Sequence, residues 1–382
     1  MRPKPDLIRN WYLATGNCKL FIYMNQLQSP PSPAQWDAFV AANSRAHVLQ
    51  QSAWAELKAA FGWQAELVTV LSDEGDTILA GAQLLFRPLP FRLGTMAYLA
   101  MGPLYAEPWP PQGAPRDYVA GVLWHKIEQA AKQHGAAFLK WEPGIYRPDE
   151  LRPPSLSTGR GLGGRVRPSP QTVQPPRTVL IDISSDEEAI LARMNQGTRR
   201  KIRQSLKNGI AYREGSKADV ATFTSMMNTT GERNAFGVHE PAYYQKAYDL
   251  FVPPGDAALI LAEHEGDPLA GIMVFAKGTS AWYLYGASSN IKRNLMGAYG
   301  VQWAAIQWAR RKGCTTYDMW GIPDEDEATL EAQFESRSDG LWGVYGFKRG
   351  WGGQVVRALG AFDKVYNPLV YAAYRLALKI RS

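Results

Sequence analysis

Leu259-Ile260-Leu261-Ala262-Glu263 followed by His264-Glu265-Gly266-Asp267 is an extended apolar run closed by an acidic glycine turn. The pattern predicts a strand and a hairpin, because glycine accepts the positive φ that a tight turn needs. Working outward, Leu269–Lys277 and Ala281–Gly286 read as strands, Ala298–Lys312 as a helix that Gly313 ends, and Cys314–Trp320 as another strand. The first half repeats this order. Ala65–Leu71 is extended, Ser72-Asp73-Glu74-Gly75-Asp76 turns, and Thr77–Arg87 and Thr95–Leu99 are strands. A helix over Arg116–His134 then ends at Gly135, and Ala136–Glu142 is a strand. Two related α/β domains follow from this repeat, placed at residues 20–146 and 177–362. The Pro-, Gly-, Ser- and Arg-rich stretch 147–176 reads as a linker or surface loop between them.

Length agrees, since 382 residues exceed the roughly 250–300 at which single cores stop growing. Hydrophobic residues at 46% and a net charge of +7 describe a globular chain with a moderate basic excess, compatible with a polyanionic partner. Cys18 and Cys314 form no CxxC pair and the five histidines show no ligand spacing, so neither metal nor cofactor is expected. No apolar run reaches the ~18 residues of a membrane span, and the first twenty residues lack the apolar core of a signal peptide. A cytoplasmic protein is expected.

Chemistry is sparse in familiar motifs. GxSxG, HExxH, P-loop and Rossmann patterns are all absent, which favours catalysis by positioning and electrostatics. Arg293-Asn294-Leu295-Met296-Gly297-Ala298 precedes a helix where acetyltransferases of the GNAT type carry a pyrophosphate loop, but Asn294 replaces the usual Arg or Gln. Asp186–Asn208 reads as one amphipathic helix. Its segment Arg193–Lys207 holds six cations (Arg193, Arg199, Arg200, Lys201, Arg203, Lys207) and no acid, so it is either a solvated face or a polyanion contact. Asp318 lies in an apolar strand and needs a partner or a function. Gly340–Gly353 mixes glycines with aromatics around Phe347-Lys348 and by itself reads as a buried β-hairpin whose Lys348 snorkels to water.

Several of these pieces occur together, in order: Gln51-Ser52-Ala53-Trp54, Gly62-Trp63, Met101-Gly102-Pro103, Asn195–Arg203, Tyr317-Asp318-Met319-Trp320-Gly321-Ile322 and Gly346–Gly353. From about Leu49 to the C-terminus the chain resembles the FemABX peptidyltransferases, which add amino acids to the stem peptide of peptidoglycan precursors. The resemblance implies tandem GNAT-like domains without a coiled-coil arm, with 363–382 packing back on the first. It implies aminoacyl-tRNA as donor and a UDP-linked or lipid-linked muramyl peptide as acceptor, with at most a transient stay at the inner membrane surface. Lys348 and Phe347 match the family's functional Phe-Lys pair. Lys58 and Arg233 stand where the family binds a diphosphate, and Tyr285 where it contacts the muramyl peptide. Arg199, Arg200 and Arg203 would meet the tRNA. The family often has an Asp after the Gly-Pro pair; here only Glu107 follows, so either it substitutes or the amine loses its proton unaided. Two other readings stay open: a GNAT-like acyltransferase using CoA or another small donor, and a non-catalytic binder of anionic glycoconjugates.

Overall fold

Ser32 accepts from the Gln35 N–H, Gln35 returns a bond to the Ser32 N–H, and Pro33 brings a preset φ; helix α1 (Pro33–Ala42) starts there, as its sequence predicts. The computed structural model describes residues 30–73, 75–109, 115–147, 166–234 and 237–381. Residues 20–29, Cys18 and 148–165 of the expected linker lie outside the described residues.

Next come α2 (Ser52–Ala59), β1 (Gln64–Leu71), β2 (Ile78–Pro88), β3 (Thr95–Ala100), β4 (Leu104–Tyr105), α3 (Arg116–Gln133) and β5 (Ala136–Glu142). The second half contributes β6 (Tyr146–Arg147), β7 (Val166–Pro168), β8 (Arg177–Asp182), α4 (Glu187–Arg193), α5 (Gln196–Lys207) and β9 (Ala211–Glu214). It continues with α6 (Val220–Asn234), α7 (Pro241–Phe251), β10 (Ala257–His264), β11 (Asp267–Lys277), β12 (Ser280–Ser288), α8 (Gly297–Arg311) and β13 (Thr316–Asp318). The chain closes with α9 (Glu327–Gln333), α10 (Trp342–Lys348), β14 (Gln354–Ala358), β15 (Phe362–Val365) and α11 (Pro368–Arg381).

The strands form two mixed sheets. One runs β1-β2-β3-β5-β15-β7 with β4 beside β2; the other runs β6-β14-β8-β13-β12-β11-β10-β9. The repeat seen in the sequence is spatial: β1-β2-β3 and β10-β11-β12 are antiparallel meanders, and each is followed by a helix that crosses to a parallel neighbour, β5 or β13. The crossing helices follow from apolar spacing, since α3 buries Val119, Val122, Leu123, Ile127 and Ala130 on one side.

The ends of the chain are exchanged between sheets. β15 adds to β5, and Lys140 on β5 pairs with the buried Asp363 of β15 at 3.0 Å. Tyr371 of α11 donates to the other Asp363 oxygen at 2.8 Å and packs on Phe138. A further core joins the halves: Val48, Leu49, Trp54 and Leu57 from the first pack with Phe223, Tyr243, Tyr244 and Phe251 from α6 and α7.

Two local expectations are corrected. Residues 186–208 form two helices, because Met194 and Asn195 adopt extended backbone and the Asn195 side chain accepts from the Thr198 N–H to start α5. Gly340–Gly353 is not a hairpin. Trp342, Tyr345 and Lys348 recur every third residue and are buried on one face of α10, which passes through a 3-10 turn before β14 begins. Lys348 is therefore enclosed rather than snorkelling, at 7% exposed. The glycines serve close approach: a side chain on Gly350 would collide with Thr198 and Asn195, whose N–H donates to the Gly350 carbonyl at 3.0 Å.

Candidate active site

β12 and β13 are parallel but pair only over Ser280–Trp282 and Thr316–Asp318. β12 continues to Ser288, while beyond β13 the chain passes through left-handed Trp320 (φ +54°) and Gly321 (φ +37°). A bulge between Tyr283 and Tyr285 bends β12 and puts these two rings in different cores on either side of the sheet. In the first half, β3 and β5 stay paired along the whole of β3. Among the described residues the second half thus has the splayed parallel pair, and a cavity of about 590 Å³ lies along the part of β12 that runs beyond this pairing, at Tyr283 and Gly286–Ser288.

Lys348 and Phe347 reach this cavity from α10, Arg233 from the last turn of α6, Lys201 from α5, and Arg293, Asn294, Gly297 and Ala298 from the start of α8. Lysines and arginines enter the lining; aspartate and glutamate do not. The N-terminus of α8 adds the positive end of its helix dipole to this electropositive wall. Of the cations, Lys292 is paired with Glu265 and Asp267. Arg233 instead holds Ser288 and Asn290, each at 2.9 Å, and burial together with the Arg293 charge lowers its pKa.

The Lys348 ammonium donates to the carbonyls of Trp320 and Gly321, the latter at 2.8 Å, and stands 5.5 Å from the centre of the Tyr283 ring. Burial pulls its pKa down to about 7, with the Asp318 charge opposing. Asp318 is itself buried. It accepts from Thr178, from Tyr146 at 2.9 Å and from the Trp320 N–H at 2.7 Å, and burial raises its pKa. The carboxylate thus fixes the left-handed Trp320 whose carbonyl holds Lys348. Phe347 packs edge-on against Tyr299 at 5.0 Å, and the Tyr299 hydroxyl accepts from Lys201 at 3.0 Å.

A second constellation lies between the halves. Lys58, on α2, donates to the Tyr243 hydroxyl at 2.9 Å, which is 3.2 Å from the Tyr285 hydroxyl. Its ammonium lies over the Trp54 ring at 5.0 Å, and burial with the Arg87 charge lowers its pKa to about 8. His239 stacks on Tyr243 at 3.8 Å.

The structure therefore brings Lys348, Phe347 and Arg233 together, and separately Lys58 with Tyr285. Glu107 joins neither group. It accepts from the Ser44 N–H at 2.8 Å, and the Ser44 side chain, then this N–H, with Arg116 and Arg45 nearby, lower its pKa, which makes it a weaker base. Arg199 donates to the Ala192 and Met194 carbonyls at the end of α4, whereas Arg200 and Arg203 are exposed on α5. Sequence reading did not single out Tyr243, Tyr283 or Tyr299, and it met Arg293 only within the incomplete pyrophosphate-loop pattern. Tyr243 could have been found from the Tyr243, Tyr244, Ala247, Phe251 spacing after Pro241, which marks a helix.

This fold is that of tandem GNAT-like proteins: the chain matches a tandem GNAT protein from the clavulanic acid biosynthesis pathway with a TM-score of 0.50 at 12% identity, covering 88% of this chain and 95% of that one. The crystal structure of FemX matches with a TM-score of 0.77 at 23% identity, covering 90% and 98%. The FemAB family profile matches residues 32–149, 157–266 and 262–379, and the chain belongs to that family. The lipid II:glycine glycyltransferase of Staphylococcus saprophyticus is 27% identical over 408 residues, which cover 88% of this chain and 92% of that protein.

Proposed function

We propose that this chain is an aminoacyltransferase that moves an amino acid from aminoacyl-tRNA to the stem peptide of a lipid-linked peptidoglycan precursor, acting from the cytoplasmic side. The observation that carries this reading is the acid-free cavity of the splayed second half, where Lys348 is held between two main-chain carbonyls. A terminal adenosine with its phosphate suits that lining, and the exposed Arg200 and Arg203 beside it suit the rest of the acceptor stem. The family membership and the glycyltransferase relative support the acceptor class.

In the reaction the neutral stem-peptide amine attacks the ester carbonyl. A C–N bond forms, the ester C–O bond breaks, and the tRNA hydroxyl leaves with the proton that the amine gives up. Lys348 faces the negative charge that develops, in a site where neighbouring dipoles are already fixed. Lys58, with Tyr243 and Tyr285, would hold the acceptor's diphosphate and peptide at the junction of the halves, Arg233 reaching from the cavity side. Glu107 is left with no part in proton transfer. The division into 20–146 and 177–362, with 363–382 returned to the first half, belongs to this reading, and the pairing of β15 with β5 supports it.

The test supplies radiolabelled aminoacyl-tRNA with a lipid-linked muramyl pentapeptide. Label appearing on the peptide is the expected result, and the amino acid that moves names the donor. Acetyl-CoA serving as donor in place of the tRNA would refute it.

A further inference from the structure

Helix α11 is apolar on two opposite sides. Val370, Tyr371, Tyr374 and Leu378 face inward, the first three packed with Phe138 of β5. Leu369, Ala373, Leu376 and Ile380 fall on the other side, within an arc of about 60° at 3.6 residues per turn. That outer stripe is uncovered: Leu369 is 84%, Leu376 60% and Ile380 78% exposed. A surface helix normally places polar residues there.

The loop joining β2 to β3 adds to the same face. Leu89, at its base, packs in the Phe138 cluster with Val370 and Tyr374, so the loop stands beside α11. At its tip Phe91 is 93% exposed, the most exposed large apolar side chain among the described residues, with Arg92 next to it. Charge is one-sided. Residues 87–94 carry Arg87 and Arg92, residues 368–382 carry Arg375, Lys379 and Arg381, and neither segment contains an acid.

We propose that α11 and the β2–β3 loop form a docking face for an anionic phospholipid bilayer. Exposed apolar residues entering the headgroup region, flanked only by cations, are the features of an interfacial helix, and the cations favour an anionic over a neutral surface. This deepens the proposed function and rests on it: an acceptor that lies in a membrane is met by an enzyme that seats itself there.

The test sediments the full chain with vesicles of phosphatidylcholine containing 30% phosphatidylglycerol (about one lipid in three, enough for a negative surface), and with phosphatidylcholine alone. Neither carries any acceptor, so binding is read without turnover. Binding is expected to the anionic vesicles and to weaken with salt. Phe91→Ser/Leu376→Ser/Ile380→Ser should lower partitioning at least about tenfold, and Arg92→Gln/Arg375→Gln by about fivefold per cation. All five positions are exposed, so thermal melting should stay at the wild-type temperature. Equal binding to both vesicles, or triple-variant binding at the wild-type level, overturns the proposal. So does a wild-type dimer in sedimentation velocity that the triple variant converts to monomer, which would make a second copy the occupant. Transfer to a water-soluble muramyl peptide should be unchanged in the triple variant. Absence of transfer by the wild-type chain, with its binding to anionic vesicles intact, would refute the proposed function and leave the docking face standing.

Discussion

Replacing Lys348 with methionine keeps the side chain as far as its Cε and removes the ammonium with its buried positive charge. Two effects on folding oppose each other. The carbonyls of Trp320 and Gly321 lose their donor, at about 1–3 kcal/mol for each buried unsatisfied group. Against this, an ammonium buried unfavourably enough to lower its pKa to about 7 is no longer desolvated. The net change in stability should stay within about 2 kcal/mol, a shift in melting temperature of roughly 2–3 °C for a chain of this size. The chemical step has no such compensation. Loss of one preorganised charge or donor at a developing oxyanion costs about 10²–10³ in rate. Single-turnover transfer at saturating acceptor measures this, with a thermal melt on the same sample. The pH profile gives a second readout. A lysine with a lowered pKa loses its charge early, so transfer in the wild type should decline as pH rises through about 7. Between about 7 and 10.5 the folded chain binds fewer protons at Lys348 than the unfolded chain, so this group makes stability rise with pH across that window. Lys348→Met should lose both dependences. A folded Lys348→Met protein transferring within threefold of wild type (on the order of 0.6 kcal/mol) would refute the role given to this residue.

Three other perturbations separate the parts of the account. Arg200→Glu with Arg203→Glu should weaken tRNA binding and flatten its salt dependence by about two phosphate contacts, measured by filter binding; an unchanged slope makes α5 a solvated face. Lys58→Met or Tyr243→Phe should raise the KM for the acceptor several-fold while leaving tRNA affinity alone, because both residues lie at the junction of the halves. Asp363→Ala strips the buried Lys140 of its carboxylate and Tyr371 of its acceptor, and should destabilise the protein by about 3–5 kcal/mol in denaturant melts.

The repeat was legible because both halves run strand, acidic glycine turn, two strands, helix and strand, and both crossing helices show 3.6-residue spacing that stops at a glycine, Gly135 and Gly313. Helix starts are just as local: Ser32-Pro33 and Asn367-Pro368 each carry a cap followed by a proline at the first helical position of α1 and α11. Gly340–Gly353 misled because glycine and aromatic residues suggest a strand, whereas the period of Trp342, Tyr345 and Lys348 is helical. The break at Met194-Asn195 was hidden because the apolar stripe runs through both helices. Residue types marked Lys348 and Asp318, but not what joins them. That link depends on the Trp320–Gly321 turn, where a left-handed non-glycine residue directs a carbonyl at the ammonium, and local sequence does not encode such a contact. The wedge itself arises from how far β12 and β13 pair, which is a property of the sheet. Exposed Phe91 and Ile380 look like ordinary core residues until their burial is known.

The central claim is that the donor's reactive end lies in the splayed cavity of the second half. A non-hydrolysable aminoacyl-tRNA carrying a photoreactive 3′-terminal adenosine, crosslinked to the protein and mapped by mass spectrometry, tests it directly. Crosslinks should fall on the cavity segments around Arg233, Arg293–Tyr299 and Val344–Lys348. Crosslinks confined to the first half, along β3, α3 and β5, would contradict the account.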